Sequence, residues 1–399
     1  MQPLILSALK SNFDDDSYRI IKSIDELPSP DTRFLQISSY ETLPFEHILS
    51  HSNTSIANAY IIRKALIRKH YLSTTAFNWT TKNPTSILKT NIKPSCDFEL
   101  DYAEFLDDAL VEAWELQEAM QKNEENEARD REWWILKPGM SDRGQGIKLF
   151  STMEELQNIF EDWEADQPDS EDEEDEEVDG KQGSSEDKDV IMTSHLRHFT
   201  AQPYIHPPLL VPSLGSCKFH IRTYVLALGS LSVYVYKPML ALFATTPYTP
   251  PWESSSDLTA HLTNTCLQPS TRDSTVHSFW SSSLPLSGTL KASIFEQICS
   301  VTGEIFEAAA KGMMIHFQTL PNAFEVFGVD FLVDNEGKAW LLEVNAFPDF
   351  RQTGDELSGI VEGLWREVVA EAVGGFFGGK EQKGSEDLVL VRKVELGRR

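Results

Sequence analysis

Hydrophobic and polar positions alternate most clearly in FEVFGVDFLVDNEGKAWLLEVNAFPDF, residues 324–350. Two runs rich in Phe, Val and Leu flank the sequence Asp-Asn-Glu-Gly, a composition typical of a turn, so the segment predicts a β-hairpin. Side chains alternate faces along a strand, so Glu343 and Asn345 share a face. A two- or four-residue hairpin loop pairs Asp330 with odd-numbered residues, which places it on the same face as Glu343 and Asn345. The other face carries the positions that we expect to be buried: Phe331, Val333, Trp340, Leu342 and Val344.

The other periodic segments predict a mixture of strands and helices. Strands are expected in MQPLILSALK at the N-terminus and in RFLQISSY, WWILKP, FTAQPYI and CKFHIRTYVLALGSLSVYVYKPMLAL. The last of these predicts a hairpin with Gly229-Ser230 at its tip, and LVLVRKV near the C-terminus predicts an edge strand. Helices are expected in ANAYIIRKALIRKHYL, at about 290–312, and in a final segment carrying Leu357, Ile360, Val361, Leu364, Val368 and Val369.

A further amphipathic helix is predicted in YAEFLDDALVEAWELQEAM. Its apolar residues recur at helical spacing, which predicts that they share one face. They are Phe105, Leu106, Leu110, Val111, Trp114 and Leu116.

Charge narrows the class of protein. The chain of 399 residues has a formal net charge of −27, and residues 161–189 hold 16 acidic residues against two lysines. This balance is the reverse of that of a nucleic-acid-binding protein, so we expect no nucleic-acid partner. The low-complexity part, 166–189, is too polar to form a core and predicts a disordered insertion.

The absence of an uncharged apolar stretch of about 18 residues predicts no membrane partner. The N-terminus has no basic leader or small-residue cleavage site. Four scattered cysteines, Cys96, Cys217, Cys266 and Cys299, form no metal-binding or disulfide pattern, which predicts reduced thiols and a cytoplasmic protein.

The chemistry begins with the face shared by Asp330, Glu343 and Asn345. Neighbouring carboxylates repel each other, and a hard divalent cation removes the conflict. Mg²⁺ takes oxygen ligands from carboxylates and nucleotide phosphates. The pattern therefore favours a Mg²⁺–phosphate site, although a polar surface edge or neutralisation by Lys or Arg would also explain it.

Three further segments suggest anion binding. In WWILKPGMSDRGQGIKLF a glycine-rich loop, 139–146, follows Lys137 and precedes a strand starting at Ile147; it is either a flap over phosphates or a plain hairpin turn. Lys218, His220 and Arg222 alternate on one strand face, facing either anions or solvent. The basic patch RKALIRK is either a solvated helix face or an anion contact through Arg63, Lys64, Arg68 or Lys69.

Six motifs in order resemble the tubulin–tyrosine ligase family of the ATP-grasp superfamily, with a pattern most like its fungal members. They are RKAL, WILKPGMSDRGQGI, QPYIHPPLL, KFHIRTYVLA, HLTNTCLQ and FGVDFLVD…WLLEVN. The resemblance covers about residues 58–370. It implies an α/β (α+β) ATP-grasp fold, with ATP bound between two lobes.

The resemblance also implies the domains: an N-terminal α/β domain (1–62), a central lobe (63–203) with the acidic insert at 164–189, a C-terminal lobe (204–375) with the Mg²⁺ site, and a tail (376–399). Lys64 and Lys137 resemble the phosphate-contacting lysines. The other nucleotide contacts that it implies are Arg143, Gly144, Gly146, Gln202, Tyr204, Ile205, Lys218, His220, His261 and Thr263. The residues that resemble the Mg²⁺ ligands are Asp330, Glu343 and Asn345. Those that resemble the catalytic residues are Arg222 and Lys137.

The family chemistry joins a free amino acid to a protein carboxylate through an acyl phosphate, with ATP and Mg²⁺ as cofactors. It implies a protein-modifying ligase whose acceptor is a tubulin C-terminal tail or another acidic tail. Three positions depart from the family pattern. This chain has His220 where the family usually has Asp, and Pro203 where it often has Lys. It has Leu242 where tubulin–tyrosine ligase has a substrate-binding Arg. The alternatives are therefore a non-catalytic ATP-binding interaction protein and a ligase with a non-tubulin acceptor.

Overall fold

The computed structural model describes residues 2–139, 145–165, 198–263, 275–348, 350, 357–379 and 386–396. The helices are α1 (Gln2–Asn12), α2 (Phe45–Ser50), α3 (Lys64–Ile67), α4 (Lys69–Lys82), α5 (Leu88–Asn91), α6 (Leu106–Ala109), α7 (Trp114–Glu124), α8 (Met153–Ala165), α9 (Gly288–Gly312), α10 (Ser358–Val368) and α11 (Gly375–Phe377). The strands are β1 (Phe34–Gln36), β2 (Ser55–Ala57), β3 (Cys96–Glu99), β4 (Trp134–Pro138), β5 (Lys148–Phe150), β6 (His198–Pro203), β7 (Cys217–Leu228), β8 (Ser232–Pro247), β9 (Val276–Ser278), β10 (Phe324–Val333), β11 (Ala339–Ala346) and β12 (Leu388–Lys393).

Two compact units contain these elements: a first unit of residues 1–93, 205–248 and 259–399, and a second of 94–204 and 249–258. The first unit is built on an antiparallel sheet with the order β11-β10-β7-β8-β12, in which β9 also pairs with β8. A small parallel sheet, β1-β2, belongs to the same unit. The central strands β7 and β10 are buried almost throughout, which allows both of their faces to take part in packing or in a site.

The odd-numbered residues of β7 and β10 face the main core. Ile221, Val225, Phe327 and Phe331 are fully buried there. They pack in one cluster with the long helix α9, which contributes Ile294, Ile298, Val301 and Ile305. Apart from Thr223 and Glu325, the odd-numbered positions of these two strands are apolar, so this face anchors the sheet.

The even-numbered face of the same two strands divides into two halves. Tyr224, Leu226, Phe324 and Val326 are buried in a second cluster, together with apolar residues of α1 and α10. The other half of this face carries the polar side chains that the sequence analysis selected. The fold therefore covers one end of the sheet with helices and gives the other end a buried polar surface.

The second unit is a four-stranded antiparallel sheet with the order β3-β6-β4-β5. Its core joins β4 and β6 to α7 and α8 through a cluster that includes Leu136, Phe150, Phe160 and Phe199. The acidic insertion at 166–189 lies outside the described residues, and so does Cys266. The other three cysteines are free thiols.

Two sequence predictions of secondary structure are wrong, one in each unit. The N-terminal segment is the helix α1 and not a strand, because Ile5, Ala8 and Asn12 are buried at helical spacing. The amphipathic helix expected over residues 102–120 is broken into a 3₁₀ turn, the single turn of α6, and α7. The break turns Phe105, Val111 and Trp114 outward while Leu106, Leu110 and Leu116 stay in the core.

Other expectations are confirmed. The β7–β8 hairpin turns at Gly229, whose φ of 61° suits glycine. Strand β12 lies at the edge of the six-stranded sheet, and β5 follows the glycine-rich loop. Of the helices within the described residues, none combines the length and apolar character needed to cross a bilayer.

Candidate active site on the six-stranded sheet

The β10–β11 hairpin places the predicted metal ligands together. Asp330 pairs directly with Glu343, and Gly328 pairs with Asn345. The Asn345 amide Nδ2 donates to Asp330 Oδ2 at 3.3 Å and to Glu343 Oε1 at 3.0 Å. The three side chains therefore share one face, as the alternation predicts.

The register is reached by a route that the sequence did not reveal. The strands are joined by five residues, and Val333 pairs with Ala339, which would put Asp330 out of step with Glu343. A β-bulge next to Asp330 adds Leu342 to β11 and restores the pairing. The predicted burial of Trp340 and Leu342 is therefore wrong: both are half-buried, and Ala339 and Leu341 are buried in their place.

Arg222 of β7 completes the cluster from the neighbouring strand. It pairs with Asp330 across the sheet, and its guanidinium forms a bidentate ion pair with that carboxylate, through Nε to Oδ1 and Nη2 to Oδ2 (3.0 Å for the second bond). Both side chains are buried. Burial disfavours the charged guanidinium, but the Asp330 carboxylate outweighs this and raises the pKa of Arg222 above its usual value.

The three basic residues of β7 are all buried, so a solvated strand face does not explain them. Lys218, His220 and Arg222 follow one another at alternate positions of this strand. Cations held away from water need anionic or polar partners. The described partner of Arg222 is Asp330.

His220 is a neutral member of this row. Burial, and then the positive charge of Arg222, lower the pKa of His220 to about 3, although Glu343 opposes the shift. Its Nδ1 lies 2.5 Å from the Thr263 hydroxyl, while Nε2 has no hydrogen-bond partner among the described residues and lies 3.7 Å from Asp330 Oδ1. The imidazole therefore ties the segment before residue 264 to the sheet.

His261 and Thr263, the other predicted contacts from that segment, are also buried. The ring of His261 packs edge-on against Tyr248, whose hydroxyl lies 2.6 Å from His206 Nδ1. Thus five of the predicted nucleotide-contacting or metal-ligating side chains of the first unit form one connected polar surface: His220, Thr263, Asp330, Glu343 and Asn345.

The second unit carries its own part of the predicted set. The Lys137 ammonium donates to Gln202 Oε1 at 2.9 Å between β4 and β6. Tyr204 is buried and its amide bonds to the Trp133 carbonyl at 2.7 Å. Gly146 adopts a φ of 67°, and Arg143 and Gly144 lie outside the described residues. Ile205 is the first residue of the next segment of the first unit and is buried.

The two basic residues at the start of α3, Arg63 and Lys64, have different surroundings. Lys64 is exposed at the first position of this helix, which packs against β11. Arg63 is buried instead, and its Nε lies 2.9 Å from Glu325 Oε1 on β10. The proposal of Arg63 as an anion contact is therefore replaced by an internal ion pair.

Sequence reasoning missed Glu325. It lies in the same hydrophobic run as Asp330, but its odd number places it on the opposite face of β10. Burial raises the pKa of Glu325 to about 8, although Arg63 and the Tyr60 amide, which donates to Oε2 at 3.1 Å, oppose the shift. A charged residue inside an apolar run was the available signal, and its partner at Arg63 depends on tertiary packing.

Aromatic rings enclose the Arg63 guanidinium. Its Cζ lies 3.8 Å from the ring centre of Tyr40 and 5.2 Å from that of Phe347. Phe347 has a φ of 54°, in the left-handed region that is unusual for a residue with a side chain, and it follows Asn345 by two positions. Arg63, the partner of Glu325, therefore contacts the chain segment that carries Asn345, a predicted metal ligand.

The donor set fits a hard cation. Two carboxylates and an amide oxygen are ligands that suit Mg²⁺. The described residues contain no group of three or more His, Cys, Asp or Glu that could hold a metal ion, so a site here depends on Asn345 as its third ligand. The half-buried Glu343 and the amide of Asn345 leave oxygen atoms for such a cation. No shift of the backbone is needed to bring the three side chains together.

Leu242 lies at the edge of this surface. It pairs with His220 on β7 and with Val276 on β9, and it is buried in the second apolar cluster with Leu240. A long cationic side chain at this position would enter an apolar environment. The position that resembles a substrate-binding Arg in the family is thus part of the core here.

Comparisons with known proteins agree with the geometry. The Tubulin-tyrosine ligase family matches residues 65–378. A probable tubulin–tyrosine ligase of Schizosaccharomyces pombe is 42% identical over 404 residues, which covers 99% of this chain and 94% of that protein. The probable tubulin–tyrosine ligase PBY1 of Saccharomyces cerevisiae is 45% identical over 357 residues, which covers 87% of this chain and 47% of that protein.

A solved structure is similar over nearly the whole length. The C-terminal domain of K. lactis Pby1, described as an ATP-grasp enzyme that interacts with the mRNA decapping enzyme Dcp2, has a TM-score of 0.72 and 34% identity. The match covers 99% of this chain and 96% of that one. The fold is therefore the ATP-grasp fold, and the chain belongs to the tubulin–tyrosine ligase family.

Proposed function

We propose that this ATP-dependent carboxylate–amine ligase uses ATP and Mg²⁺ to add a tyrosine-like amino acid to a protein carboxylate. The carboxylate attacks the γ-phosphate of ATP and forms an acyl phosphate with release of ADP. The amino group then attacks the acyl carbon, forms the amide bond, loses a proton to solvent and releases phosphate. Atoms and charge balance without a nucleophile from the protein.

The observation that supports this proposal most strongly is the cluster formed by the buried Arg222 and Asp330 with the half-buried Glu343 and Asn345. A purely structural ion pair needs one cation and one anion. This cluster adds a second carboxylate and an amide on the same face, which gives more oxygen donors than Arg222 needs. Such an excess is what a Mg²⁺–phosphate site requires.

The residues have separate proposed roles. Asp330, Glu343 and Asn345 would hold Mg²⁺, which would neutralise phosphate charge as the bond to the leaving ADP breaks. Arg222 and Lys137 would stabilise charge on the transferred phosphoryl group. In the proposed nucleotide site, the basic end at Lys218 faces phosphates, and backbone groups near Gln202 and Tyr204 contact the base.

The remaining family positions complete the proposed nucleotide contacts. They are Lys64, Arg143, Gly144, Gly146, Ile205, His220, His261 and Thr263. The proposed division of the chain at residues 62, 203 and 375 follows the same resemblance, and the protein would act in the cytoplasm.

The acceptor is proposed from the family: a tubulin tail or another acidic protein tail. A non-tubulin acceptor is favoured by the buried Leu242, because an amino acid or tail carboxylate meets no arginine at that position. The same observation supports a second candidate, an ATP-binding interaction protein without turnover. The K. lactis relative is itself described through an interaction with another protein.

An ADP-release assay separates these candidates. The full chain is incubated with ATP and Mg²⁺, each amino acid in turn, and detyrosinated tubulin or other proteins with acidic tails. ADP release that requires both an amino acid and an acceptor supports the ligase. Glu343→Gln is expected to lower turnover roughly 10²–10³-fold, the usual effect of removing one charge-stabilising group.

The matched control is Glu336→Gln, in the turn of the same hairpin, where the carboxylate is exposed. This variant is expected to keep full turnover. ATP binding without ADP release in the presence of every acceptor would support the interaction protein instead. If the two glutamate variants lose activity equally, the proposed metal site is wrong.

A further inference from the structure

The second unit has an outward face that the ligase chemistry does not use. Its large apolar side chains are Tyr102, Phe105, Val111 and Trp114, exposed to 60%, 48%, 68% and 63%. The sequence pattern predicts an amphipathic helix here, with three of these residues in its apolar face. The structure instead turns all four away from the core.

The inner side of the same segment is well packed. Leu106, Leu110 and Leu116 are buried in the core of the second unit, so the segment is not loosely attached. Exposure of the aromatic residues is therefore a property of a fixed surface. Exposed aromatic residues on a rigid segment are characteristic of protein-binding surfaces, where Trp and Tyr dominate the binding energy.

Charge defines what this surface attracts. From residue 97 to residue 121 the chain has nine acidic residues and no Lys, Arg or His. Seven of these carboxylates are exposed among the aromatic residues: Asp101, Glu104, Asp107, Asp108, Glu112, Glu115 and Glu118. We call these seven residues, with Tyr102, Phe105, Val111 and Trp114, the acidic–aromatic surface.

The contrast with the preceding segment shows that the charge is local. Residues 47–96 contain seven Lys or Arg and no Asp or Glu. The acidic–aromatic surface thus reflects a sharp change of sign along the chain and not the average acidity of the protein. Such a surface repels nucleic acids and anionic membranes, and it attracts basic protein segments.

Two of the aromatic residues are held in a defined arrangement. The rings of Tyr102 and Phe105 pack edge to face with their centres 6.2 Å apart. The intervening Ala103 is fixed by α8, because its amide bonds to the Glu164 carboxylate and its carbonyl accepts from Gln157 Nε2 at 3.2 Å. These contacts give the surface the preorganisation that favours binding.

From these observations we infer that the acidic–aromatic surface binds a basic segment of another protein that carries apolar anchor residues. The aromatic side chains bury the anchors, and the surrounding carboxylates pair with Lys or Arg of the segment. None of its residues is among those proposed to bind ATP or Mg²⁺, so the inference is tested independently of the proposed ligase activity.

Fluorescence anisotropy with three synthetic peptides tests the inference. All three carry the same number of Lys and Arg residues. One has Leu and Phe at i, i+3, i+4 and i+7, one has them at alternate positions, and one has Ser in their place. At least one apolar peptide is expected to bind the full chain about tenfold more tightly than the Ser peptide, equivalent to ~1.4 kcal/mol.

Variants of exposed residues locate the binding site. Phe105→Ser combined with Trp114→Ser should remove the tenfold preference and leave binding of the Ser peptide unchanged. The matched control is Phe77→Ser, which removes a ring exposed to 67% from α4 in the first unit. Glu112→Gln with Glu115→Gln should weaken all three peptides, and added salt should do the same.

Four outcomes would overturn the inference. The apolar and Ser peptides could bind with equal affinity, the preference could survive the Phe105 and Trp114 changes, or Phe77→Ser could remove it as well. A dimer in solution that dissociates on the Phe105 and Trp114 changes would assign the surface to a second copy of the chain instead. Circular dichroism of each variant checks that the fold is retained.

Discussion

Two buried carboxylates on β10 each face an arginine, yet their surroundings differ. Asp330 pairs with Arg222 and also accepts from Asn345, with Glu343 beside it. Glu325, five residues earlier on the opposite face, is enclosed by Arg63, a backbone amide and the main core. Both pairs are short and buried, so burial alone does not distinguish a functional ion pair from a structural one.

The difference lies in the groups beyond each pair. Around Asp330, Glu343 and Asn345 add a second carboxylate and an amide on the same face of the sheet. Around Arg63, the rings of Tyr40 and Phe347 close the site to further ligands. A buried ion pair beside a second carboxylate and an amide suggests a ligand, whereas a pair enclosed by aromatic rings suggests a structural link.

Removing each arginine in turn tests this comparison. Arg222→Met leaves Asp330 buried without its cation, and the expected loss of unfolding free energy is about 3–5 kcal/mol. It should also lower ADP release per folded molecule roughly 10²–10³-fold. Chemical denaturation and the ADP assay measure the two effects. Retained turnover would show that Arg222 is only structural.

The second prediction concerns the pH dependence of the stability that the Arg63–Glu325 pair contributes. Because the pKa of Glu325 is about 8 in the folded protein and about 4.5 in the unfolded chain, its contribution is fully present below pH 4.5. That contribution is lost as pH rises to 8. Relative to Glu325→Gln, the wild type should therefore lose about 4 kcal/mol between these limits.

Denaturant titrations of both proteins at a series of pH values measure this difference. The Gln variant is the control, since it keeps the size of the side chain and does not titrate. A wild type that gains stability over the variant as pH rises would show that Arg63 keeps Glu325 ionised, which would contradict the raised pKa.

Arg63→Met should have a smaller effect than Arg222→Met at neutral pH. Glu325 then holds its proton, so the loss comprises the polar contact between Arg63 and Glu325 and the cation–π contacts, together about 2–3 kcal/mol. Turnover per folded molecule should stay within about twofold of the wild type, a change of only ~0.4 kcal/mol in the barrier. A hundredfold loss of turnover in this variant would mean that Arg63 belongs to the chemical site after all.

The smallest effect is expected at Phe347. Phe347→Gly removes the ring but relieves the left-handed backbone, whereas Phe347→Ala removes the ring and keeps the strain. The Gly variant should therefore be more stable than the Ala variant by about 1–2 kcal/mol. Equal stabilities would show that the backbone at this position relaxes when the ring is removed.

The fold and the site were predictable to different extents. Strand periodicity predicted β7, β10 and β11, and it predicted the shared face of Asp330, Glu343 and Asn345. The pairing is correct, but the reasoning assumed a regular hairpin. The turn length and the bulge at Leu342 compensate each other, and no period along the sequence reveals either one.

Residues that depend on tertiary partners could not be predicted. Glu325 is visible as a carboxylate in an apolar run, but its partner Arg63 is distant in sequence. Phe105 and Trp114 satisfy helical spacing and still face outward, because the helical segment is interrupted before α7 begins. In each case the local pattern was compatible with two arrangements, and packing chose between them.

Binding of ATP–Mg²⁺ to three proteins tests the central claim most directly: the wild type, Glu336→Gln and Glu343→Gln, each followed by chemical denaturation without any acceptor. At a ligand concentration 100 times Kd, the wild type should gain about 2.7 kcal/mol. Glu336→Gln should gain the same amount, and Glu343→Gln should lose most of the gain. Equal stabilisation of all three proteins would contradict the assignment of the β10–β11 face as the nucleotide–metal site.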